Sequence, residues 1–196
     1  MLHRLLDLTL AILALLLFSP LLLLLAALLF VTQRKILFFQ SRPGLNEAPF
    51  TLIKFSTMYD VREGEDEAAN QLARLTPIGK YLRKWSLDEL PQLWNVIRGD
   101  MALVGPRPLL MEYLTIYTEE EHQRHLVKPG ITGWAQVHGR NFLTFKQRFQ
   151  YDLWYVRNRS IWLDLKILLM TIGKVFRREG VYANEQTTSP KFDGTN

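Results

Sequence analysis

Near its N-terminus the chain carries a long uncharged apolar run, and this feature constrains the fold more than any other. Residues 8–31 form 24 consecutive positions without a charged side chain. As an α-helix this run would extend for about 36 Å, which exceeds the roughly 30 Å of a bilayer's hydrocarbon core. The run is long for a signal peptide, and the polar, basic stretch 32–35 follows it in place of a cleavage site. The sequence therefore predicts a membrane anchor.

Two features of the run favour a segment that enters the membrane and returns. Ser19 and Pro20 lie near its middle, and proline removes a backbone donor and clashes with the preceding helical turn. Basic residues flank the run on both sides, at Arg4 and at 34–35, and positive charge favours the cytoplasm. These features predict a re-entrant helix–break–helix over 1–35, with Ser19 and Pro20 as the break. A kinked helix that crosses the bilayer once is the alternative, because membrane helices tolerate proline.

The composition is that of a folded domain rather than a disordered chain. Hydrophobic residues make up 48% of the chain and charged residues 22%, which excludes intrinsic disorder. The absence of cysteine excludes a disulfide framework, a cysteine-based zinc finger and a cysteine nucleophile. The net charge of +5 favours an anionic partner, but the basic residues are scattered and argue against a nucleic-acid-binding module.

Hydrophobic periodicity and turn residues predict a mostly helical α/β domain with few short strands over 36–184, and a polar surface extension over 185–196. The segment 128–133 is predicted to be a loop. Strands are predicted at 36–39 and 50–55, and helices from 76 onward and at 86–97, 109–117, 145–156 and 161–178.

Aromatic and basic residues occur together on the last two predicted helices. Trp154 and Trp162 lie close in sequence to Arg157 and Lys166, a combination that suits the headgroup layer of a bilayer. We therefore expect amphipathic helices that rest in the membrane interface. The alternative for each is an ordinary helix whose apolar face packs on the core.

Two adjacent carboxylates, Asp88 and Glu89, are the first candidates for chemistry. In a structural interpretation Ser86 is the N-cap of a helix and Glu89 completes a capping box. In a functional interpretation the pair supplies a nucleophile and a metal ligand, because a carboxylate can attack phosphorus and Mg²⁺ binds carboxylates together with substrate phosphates. The segment alone leaves both interpretations open and favours capping.

Arg107 lies between two prolines in the segment 105–108, Gly-Pro-Arg-Pro. A rigid proline frame would fix the guanidinium, whose planar fork suits phosphate oxygens. The alternative is a turn with a solvated arginine. Lys54, Arg83 and Arg140 are further cationic candidates for binding an anionic substrate.

The four histidines do not have the spacing of a metal-binding motif. His122 and His125 occur in a segment that runs from acidic to basic, so they are predicted to be solvated. The chain also has no Gly-x-Gly-x-x-Gly segment and no P-loop.

Six segments occur together in one order. Taken together they resemble the bacterial sugar transferase family, and within it the small monotopic polyprenyl-phosphate phosphoglycosyl transferases of the PglC type. The resemblance extends from the apolar run to Phe192. The six segments are Lys54-Phe55-x-Thr57-Met58, Ser86-Leu87-Asp88-Glu89-Leu90-Pro91-Gln92, Gly99-Asp100-Met101, Gly105-Pro106-Arg107-Pro108, Lys128-Pro129-Gly130-Ile131-Thr132-Gly133 and Tyr151-Asp152-x-x-Tyr155.

The resemblance implies an enzyme that transfers a phospho-sugar from a UDP-sugar to polyprenyl (undecaprenyl) phosphate and releases UMP. Asp88 matches the family's covalent nucleophile, Glu89 completes the dyad, and the two would hold Mg²⁺. Arg107 matches a phosphate-binding arginine. Further residues that fall near polar, substrate-binding positions of the family are Lys54, Arg83, Asp152 and Asp164.

The resemblance also implies a location and a donor. The catalytic unit would rest on the cytoplasmic face of the bacterial inner membrane, with Ser19 and Pro20 at the break of a re-entrant helix. The donor sugar would be N-acetylated or a diacetamido-trideoxyhexose, with UDP-galactose, UDP-GlcNAc and UDP-GalNAc as alternatives. Ser56 and His138 depart from the usual family pattern. These departures weaken the assignment to this chain of the donor sugar that better-known members use. A non-catalytic membrane-anchored scaffold is the rival class of function.

Overall fold

A computed structural model describes residues 2–60, 74–139, 142–177 and 192–194, and in this part of the chain helices predominate over a few short strands. This confirms the predicted mostly helical architecture. The helices are α1 (Leu2–Gln33), α2 (Pro77–Lys84), α3 (Gln92–Arg98), α4 (Glu119–His122), α5 (Trp134–His138), α6 (Phe145–Asn158) and α7 (Ile161–Arg177). The strands are β1 (Leu37–Pro43), β2 (Pro49–Phe55), β3 (Ala102–Val104) and β4 (Gly130–Thr132).

Helix α1 is long and apolar enough to cross a membrane, and it continues through Pro20. A proline at position 20 cannot donate to the carbonyl of Leu16, four residues earlier. The hydroxyl of Ser19 donates to that carbonyl at 2.9 Å, so the backbone acceptor that the proline leaves free is satisfied. One helix therefore stands where the sequence predicted two helices separated by a break.

Both ends of α1 are fixed to the rest of the protein. At the N-terminal end the Arg4 guanidinium donates to the carbonyls of Val96 and Ile97 at the end of α3, and the Leu103 amide donates to Asp7 at 2.9 Å. At the other end the Gln33 side chain donates to the Ser56 carbonyl at 2.6 Å. Residues 16–20 of α1, which include Leu16 and Leu17, are exposed, and so are Leu23 and Leu24, whereas Leu25 between these and the end of the helix packs against the domain.

Strands β1 and β2 form an antiparallel hairpin that delivers Lys54 to the site described below. The predicted strands at 36–39 and 50–55 are confirmed. Buried Asn95 of α3 fixes the hairpin, because its side chain accepts from the Ile53 amide at 3.1 Å and donates to the Thr51 carbonyl at 2.7 Å. Asn95 carries no local signal of this role, since its partners lie more than 40 positions away.

Strands β3 and β4 pair in parallel and bring two predicted loops together. The segment 128–133 is not entirely a loop, because β4 occupies its centre. A Cβ atom at Gly105 would lie 2.3 Å from the Lys128 carbonyl oxygen, and one at Gly130 would lie 2.1 Å from the Gly105 amide. Only glycines permit this approach, which places the start of the Arg107 loop directly against β4.

An aromatic cluster supports the far side of the domain. Phe192 is buried there, so the predicted polar extension over 185–196 includes at least one core residue within the described 192–194. The predicted helix at 109–117 is a shorter 3₁₀ turn, Met111–Thr115. The ring members of the cluster are Tyr113, Tyr117, Phe145, Phe149 and Phe192.

The segment after this turn corrects one prediction. Helix α4 begins with a capping box between Thr118 and Glu121. Both histidines were predicted to be solvated. His122 is half-buried, but His125 is only 5% exposed, so the prediction is wrong for His125.

Candidate active site

Asp88 and Glu89 lie on a 3₁₀ turn, Leu87–Glu89, between α2 and α3. The predicted capping box is wrong, because Ser86 adopts a left-handed conformation (φ 55°), its side chain makes no capping hydrogen bond, and the α-helix begins only at Gln92. The turn is therefore not explained by helix capping. It holds both carboxylates in a largely buried position, each with 8% exposure.

Glu89 accepts two charged hydrogen bonds on one oxygen. Lys54 of β2 donates to Oε1 at 3.0 Å, and Arg107 of the loop after β3 donates to the same oxygen at 2.8 Å. Charge-assisted contacts of this kind are stronger than neutral ones. Glu89 therefore joins three separate segments of the chain at one point.

Asp88 differs from its neighbour. Its carboxylate accepts no hydrogen bond from any residue that the structure describes, although Lys54, Arg83 and Arg107 all stabilise its charge from nearby. Burial raises the pKa of Asp88, and the adjacent Glu89 carboxylate raises it further, while the three cations oppose the rise. An oxygen without hydrogen-bond donors in a cationic setting is accessible to an electrophile.

Three of the four predicted cationic residues converge on the two carboxylates. Burial lowers the pKa of Lys54, and Arg107 lowers it further, but the Glu89 carboxylate opposes this change. Arg83 of α2 donates from Nε to the Thr57 hydroxyl at 3.0 Å, which fixes its guanidinium on the same side of the turn. Lys54, Arg83 and Arg107 thus form a cationic rim, which is suited to a diphosphate.

A second arginine supports the rim from inside the protein. Arg124 is 1% exposed and donates to Asp152, also 1% exposed, at 2.7 Å from NH2 and 3.2 Å from Nε. Arg124 also donates to the backbone carbonyl of Arg107 at 2.7 Å. Asp152 therefore acts on the site through Arg124, and its enclosed carboxylate is not presented to a substrate.

Asp164 has internal partners as well. Its carboxylate accepts from the Tyr155 hydroxyl at 2.6 Å and contacts His3 at 2.8 Å. Tyr155 also reaches the Val104 carbonyl at 3.2 Å, so this group holds α1, β3 and α7 together. Arg140, the remaining predicted substrate-binding residue, lies outside the described residues.

The donor set is compatible with magnesium. Mg²⁺ prefers oxygen ligands and commonly binds one or two carboxylates together with substrate phosphates and water. The adjacent Asp88 and Glu89 carboxylates offer oxygen ligands of this kind, and Lys54 and Arg107 hold the Glu89 carboxylate in position.

The protein combines an apolar helix long enough to cross a membrane with a buried carboxylate pair and a cationic rim, an arrangement suited to anionic, phosphate-bearing groups. The family model described as "Bacterial sugar transferase" matches residues 1–178, and the chain belongs to this family.

Curated relatives cover the chain to different extents. The chain is 49% identical over 195 residues to the uncharacterized sugar transferase EpsL of Bacillus subtilis (strain 168). These residues make up 99% of this chain and 96% of that protein. It is 42% identical to the UDP-glucose:undecaprenyl-phosphate glucose-1-phosphate transferase of Caulobacter vibrioides, with 91% of this chain and 71% of that protein covered. It is 44% identical to the undecaprenyl-phosphate glucose phosphotransferase of Komagataeibacter xylinus, of which it spans only 35%.

Proposed function

We propose that this chain transfers a sugar phosphate from a UDP-sugar to polyprenyl phosphate, with Asp88 as the covalent nucleophile. The observation that carries the proposal is the contrast between the neighbouring carboxylates. Glu89 is held by Lys54 and Arg107, while Asp88 is buried beside the same cations and accepts no hydrogen bond from the part of the chain that the structure describes. The names of several relatives, which describe sugar-phosphate transfer to undecaprenyl phosphate, support the reaction class.

In the first step an Asp88 oxygen attacks the β-phosphorus of the UDP-sugar. A new phosphorus–oxygen bond forms, the bond from that phosphorus to the bridging oxygen breaks, and UMP leaves with the electron pair. In the second step a phosphate oxygen of polyprenyl phosphate attacks the same phosphorus and displaces the Asp88 carboxylate. Division into two displacements replaces one difficult step by two easier ones.

The surrounding side chains have distinct roles in this scheme. Arg107 and Arg83 offset the negative charge of the diphosphate, and Lys54 holds Glu89 in place. Mg²⁺, when bound by Asp88 and Glu89, would offset the charge that develops on the departing UMP. Burial keeps the site in a low-dielectric setting, where these contacts are stronger than in water.

A covalent adduct tests the nucleophile. The purified chain, incubated with UDP-sugar and Mg²⁺ without acceptor, should release UMP and gain the mass of one phospho-sugar on the peptide that contains Asp88. Asp88→Asn should abolish both signals, and Glu120→Gln, which changes an exposed carboxylate, should retain them. An adduct on another residue, or adduct formation by Asp88→Asn, would falsify the assignment. UMP release that needs no acceptor also separates an enzyme from a non-catalytic scaffold.

We also propose that α1 is re-entrant and that the catalytic unit rests on the cytoplasmic face of the inner membrane. A straight α1 would separate Arg4 from Gln33 by about 44 Å. Arg4 reaches α3 and Gln33 reaches Ser56, directly after β2, and Asn95 joins α3 to β2 by hydrogen bonds. Two fixed ends on one domain, with exposed leucines between them, favour a helix that dips into the bilayer and returns.

Cysteine labelling tests this topology, because the native chain contains no cysteine. In sealed cells, Leu2→Cys should resist a membrane-impermeant thiol reagent and react once the membrane is opened. Thr115→Cys, on the exposed surface of the domain, provides the matched cytoplasmic control. Labelling of Leu2→Cys in sealed cells would establish a single crossing and leave the Asp88 proposal untouched.

The donor is proposed at the level of a UDP-hexose. The resemblance in sequence favours an N-acetylated or diacetamido sugar, whereas the names of several relatives specify glucose or galactose. A UMP-release screen with UDP-glucose, UDP-galactose, UDP-GlcNAc, UDP-GalNAc and a UDP-diacetamido sugar discriminates between these groups. We expect one donor to exceed the others by at least tenfold, because a site that hydrogen-bonds a sugar substituent strongly rejects analogues that lack it.

A further inference from the structure

A second polar cluster shares no residue with the Asp88 site. Glu47 lies in the connection between β1 and β2, and it faces His122 and His125 at the end of the 118–126 segment. One ligand atom from each of the three side chains lies within 4.8 Å of the other two. Nδ1 of His122 is in hydrogen-bond contact with Oε1 of Glu47, and Nδ1 of His125 lies 3.6 Å from the same oxygen.

The backbone around Glu47 adopts an unusual conformation. Asn46 has a φ of 50° and Glu47 a φ of 64°, so two successive residues other than glycine lie in the left-handed region. Such conformations carry a conformational cost and concentrate at functional sites. This conformation brings the Glu47 carboxylate to the two imidazoles.

His125 is the least explained member of the cluster. The residue is 5% exposed, yet neither ring nitrogen has a hydrogen-bond partner in the described part of the chain. Buried polar atoms in folded proteins nearly always have a partner, so each exception calls for a reason, such as a bound ion. The ring of Tyr117 packs at 5.8 Å from the His125 ring and 5.6 Å from the His122 ring, which restricts both imidazoles.

We propose that Glu47, His122 and His125 form a binding site for a transition-metal ion, with Zn²⁺ as the best match. Two imidazole nitrogens and one carboxylate oxygen are a common zinc ligand set, whereas Mg²⁺ prefers oxygen ligands alone. Zinc–ligand bonds of about 2.0–2.1 Å in a tetrahedron separate ligand atoms by roughly 3.4 Å. The 3.6 Å separation of His125 Nδ1 and Glu47 Oε1 is close to this value, whereas His122 Nδ1, now in hydrogen-bond contact with the same oxygen, would draw back from it to bind the ion.

The surroundings leave room for a fourth ligand. A surface cavity of about 280 Å³ is lined by all three residues, and Glu47 and His122 are each 35% exposed at the side chain. An ion can therefore enter from solvent, and water can complete its coordination. Since no cysteine is present, histidine and carboxylate groups are the metal ligands that this chain offers.

A metal at this position would join segments that are 75 residues apart in sequence. The 118–126 segment also contains Arg124, which holds the Arg107 carbonyl. Because an ion that binds only the folded chain stabilises it by mass action, Zn²⁺ should raise the temperature of unfolding.

The test uses the full chain, purified in detergent without a polyhistidine tag and stripped with EDTA. Calorimetric titration with Zn²⁺ in excess Mg²⁺ should give one equivalent of binding and an EDTA-reversible rise in the unfolding midpoint. Glu47→Gln and His122→Gln alter half-exposed side chains and should each weaken binding at least tenfold. His138→Gln, which alters an exposed histidine outside the cluster, should bind as the parent does.

A further variant separates this site from the catalytic carboxylates. Asp88→Asn should retain the full Zn²⁺ equivalent, because the proposal does not depend on the sugar-transfer function. Absence of binding at micromolar Zn²⁺ would overturn the proposal. So would parent-like affinity in both Glu47→Gln and His122→Gln, or binding that is lost with His138 or Asp88.

Discussion

Two arginine–carboxylate contacts meet at residue 107 and differ in their surroundings. The Arg124–Asp152 pair is enclosed, with both side chains 1% exposed, and Arg124 holds the Arg107 backbone. The contact of the Arg107 side chain with Glu89 is more open, since that side chain is 34% exposed. The enclosed pair has no free surface for a substrate, whereas the open contact can exchange a protein carboxylate for a phosphate. Both contacts join an arginine to a carboxylate, so the difference between them is burial. The enclosed pair supports the structure, and the open contact is the one proposed to bind substrate.

The largest expected effect is on turnover and lies at the open site. Asp88→Asn should lower kcat by about 10⁴-fold or more, equivalent to at least about 5.4 kcal/mol, because an amide cannot form the acyl phosphate. The free energy of unfolding should hardly change, since the Asp88 carboxylate accepts no hydrogen bond within the described ranges 2–60, 74–139, 142–177 and 192–194. UMP-release kinetics and chemical denaturation measure the two quantities. A large loss of stability in this variant would show that Asp88, like the enclosed Arg124–Asp152 pair, has a structural role.

The next effect is on stability and lies at the enclosed pair. Arg124→Met leaves buried Asp152 without its hydrogen-bonded counter-ion, although Arg148 still offsets part of its charge, and breaking such a buried pair costs about 3–5 kcal/mol of the free energy of unfolding. The double variant Arg124→Met/Asp152→Leu should recover much of that loss, because it removes both charges. Denaturant unfolding of the two variants provides the measurement. A double variant no more stable than the single would show that Arg124 acts mainly through the Arg107 carbonyl.

A smaller loss of activity is expected at Arg107 itself. Arg107→Lys retains the charge but loses the planar fork, so kcat/KM should fall at least tenfold, or about 1.4 kcal/mol. Arg98→Lys, which alters a half-exposed arginine near Asp100, is the matched control and should behave as the parent. If the kinetics of Arg107→Lys match those of the parent, the Arg107 guanidinium does not bind the substrate phosphate and serves only to hold Glu89.

The smallest effect is expected at a fully solvated pair. Arg157 and Glu120 form an ion pair in which each side chain is more than half exposed. Arg157→Met should change the free energy of unfolding by at most about 1 kcal/mol, because exposed ion pairs contribute little. Denaturant unfolding of Arg157→Met, measured beside Arg124→Met, compares the loss of a solvated arginine with the loss of an enclosed one. Equal losses at Arg157 and Arg124 would contradict burial as the deciding factor.

The sequence predicted the open site better than the enclosed one. Asp88, Glu89 and Arg107 lie in short segments that carry the family resemblance, although each segment alone left a purely structural interpretation open, and the structure brings them together with Lys54. Arg124 lies in a charged segment typical of a solvated helix, and its partner Asp152 is 28 positions away. No local pattern distinguishes a buried arginine from an exposed one when its counter-ion is supplied by a distant helix.

The fold shows the same division between local and distant information. Helices α2, α6 and α7 follow from periodicity and from capping residues such as Thr76 and Thr144. The pairing of β3 with β4 does not, because each strand has only three residues and depends on the approach of Gly105 to Gly130. The capping box at Ser86 was a misassignment of the same kind, since tertiary contacts of Glu89 override the local preference for a helix start.

The attachment of α1 at both ends has a mechanical consequence for a protein at a lipid surface. A domain on one flexible tether can swivel and tilt, and it presents its catalytic face to the bilayer for only part of the time. Here Arg4 and Gln33 bind helix and domain into one rigid body, so rotation of the domain would require rotation of the embedded helix. In the proposed topology the fold then sets the height of Asp88 above the lipid, and lateral diffusion in the plane of the bilayer is the motion left for encountering the proposed polyprenyl phosphate acceptor.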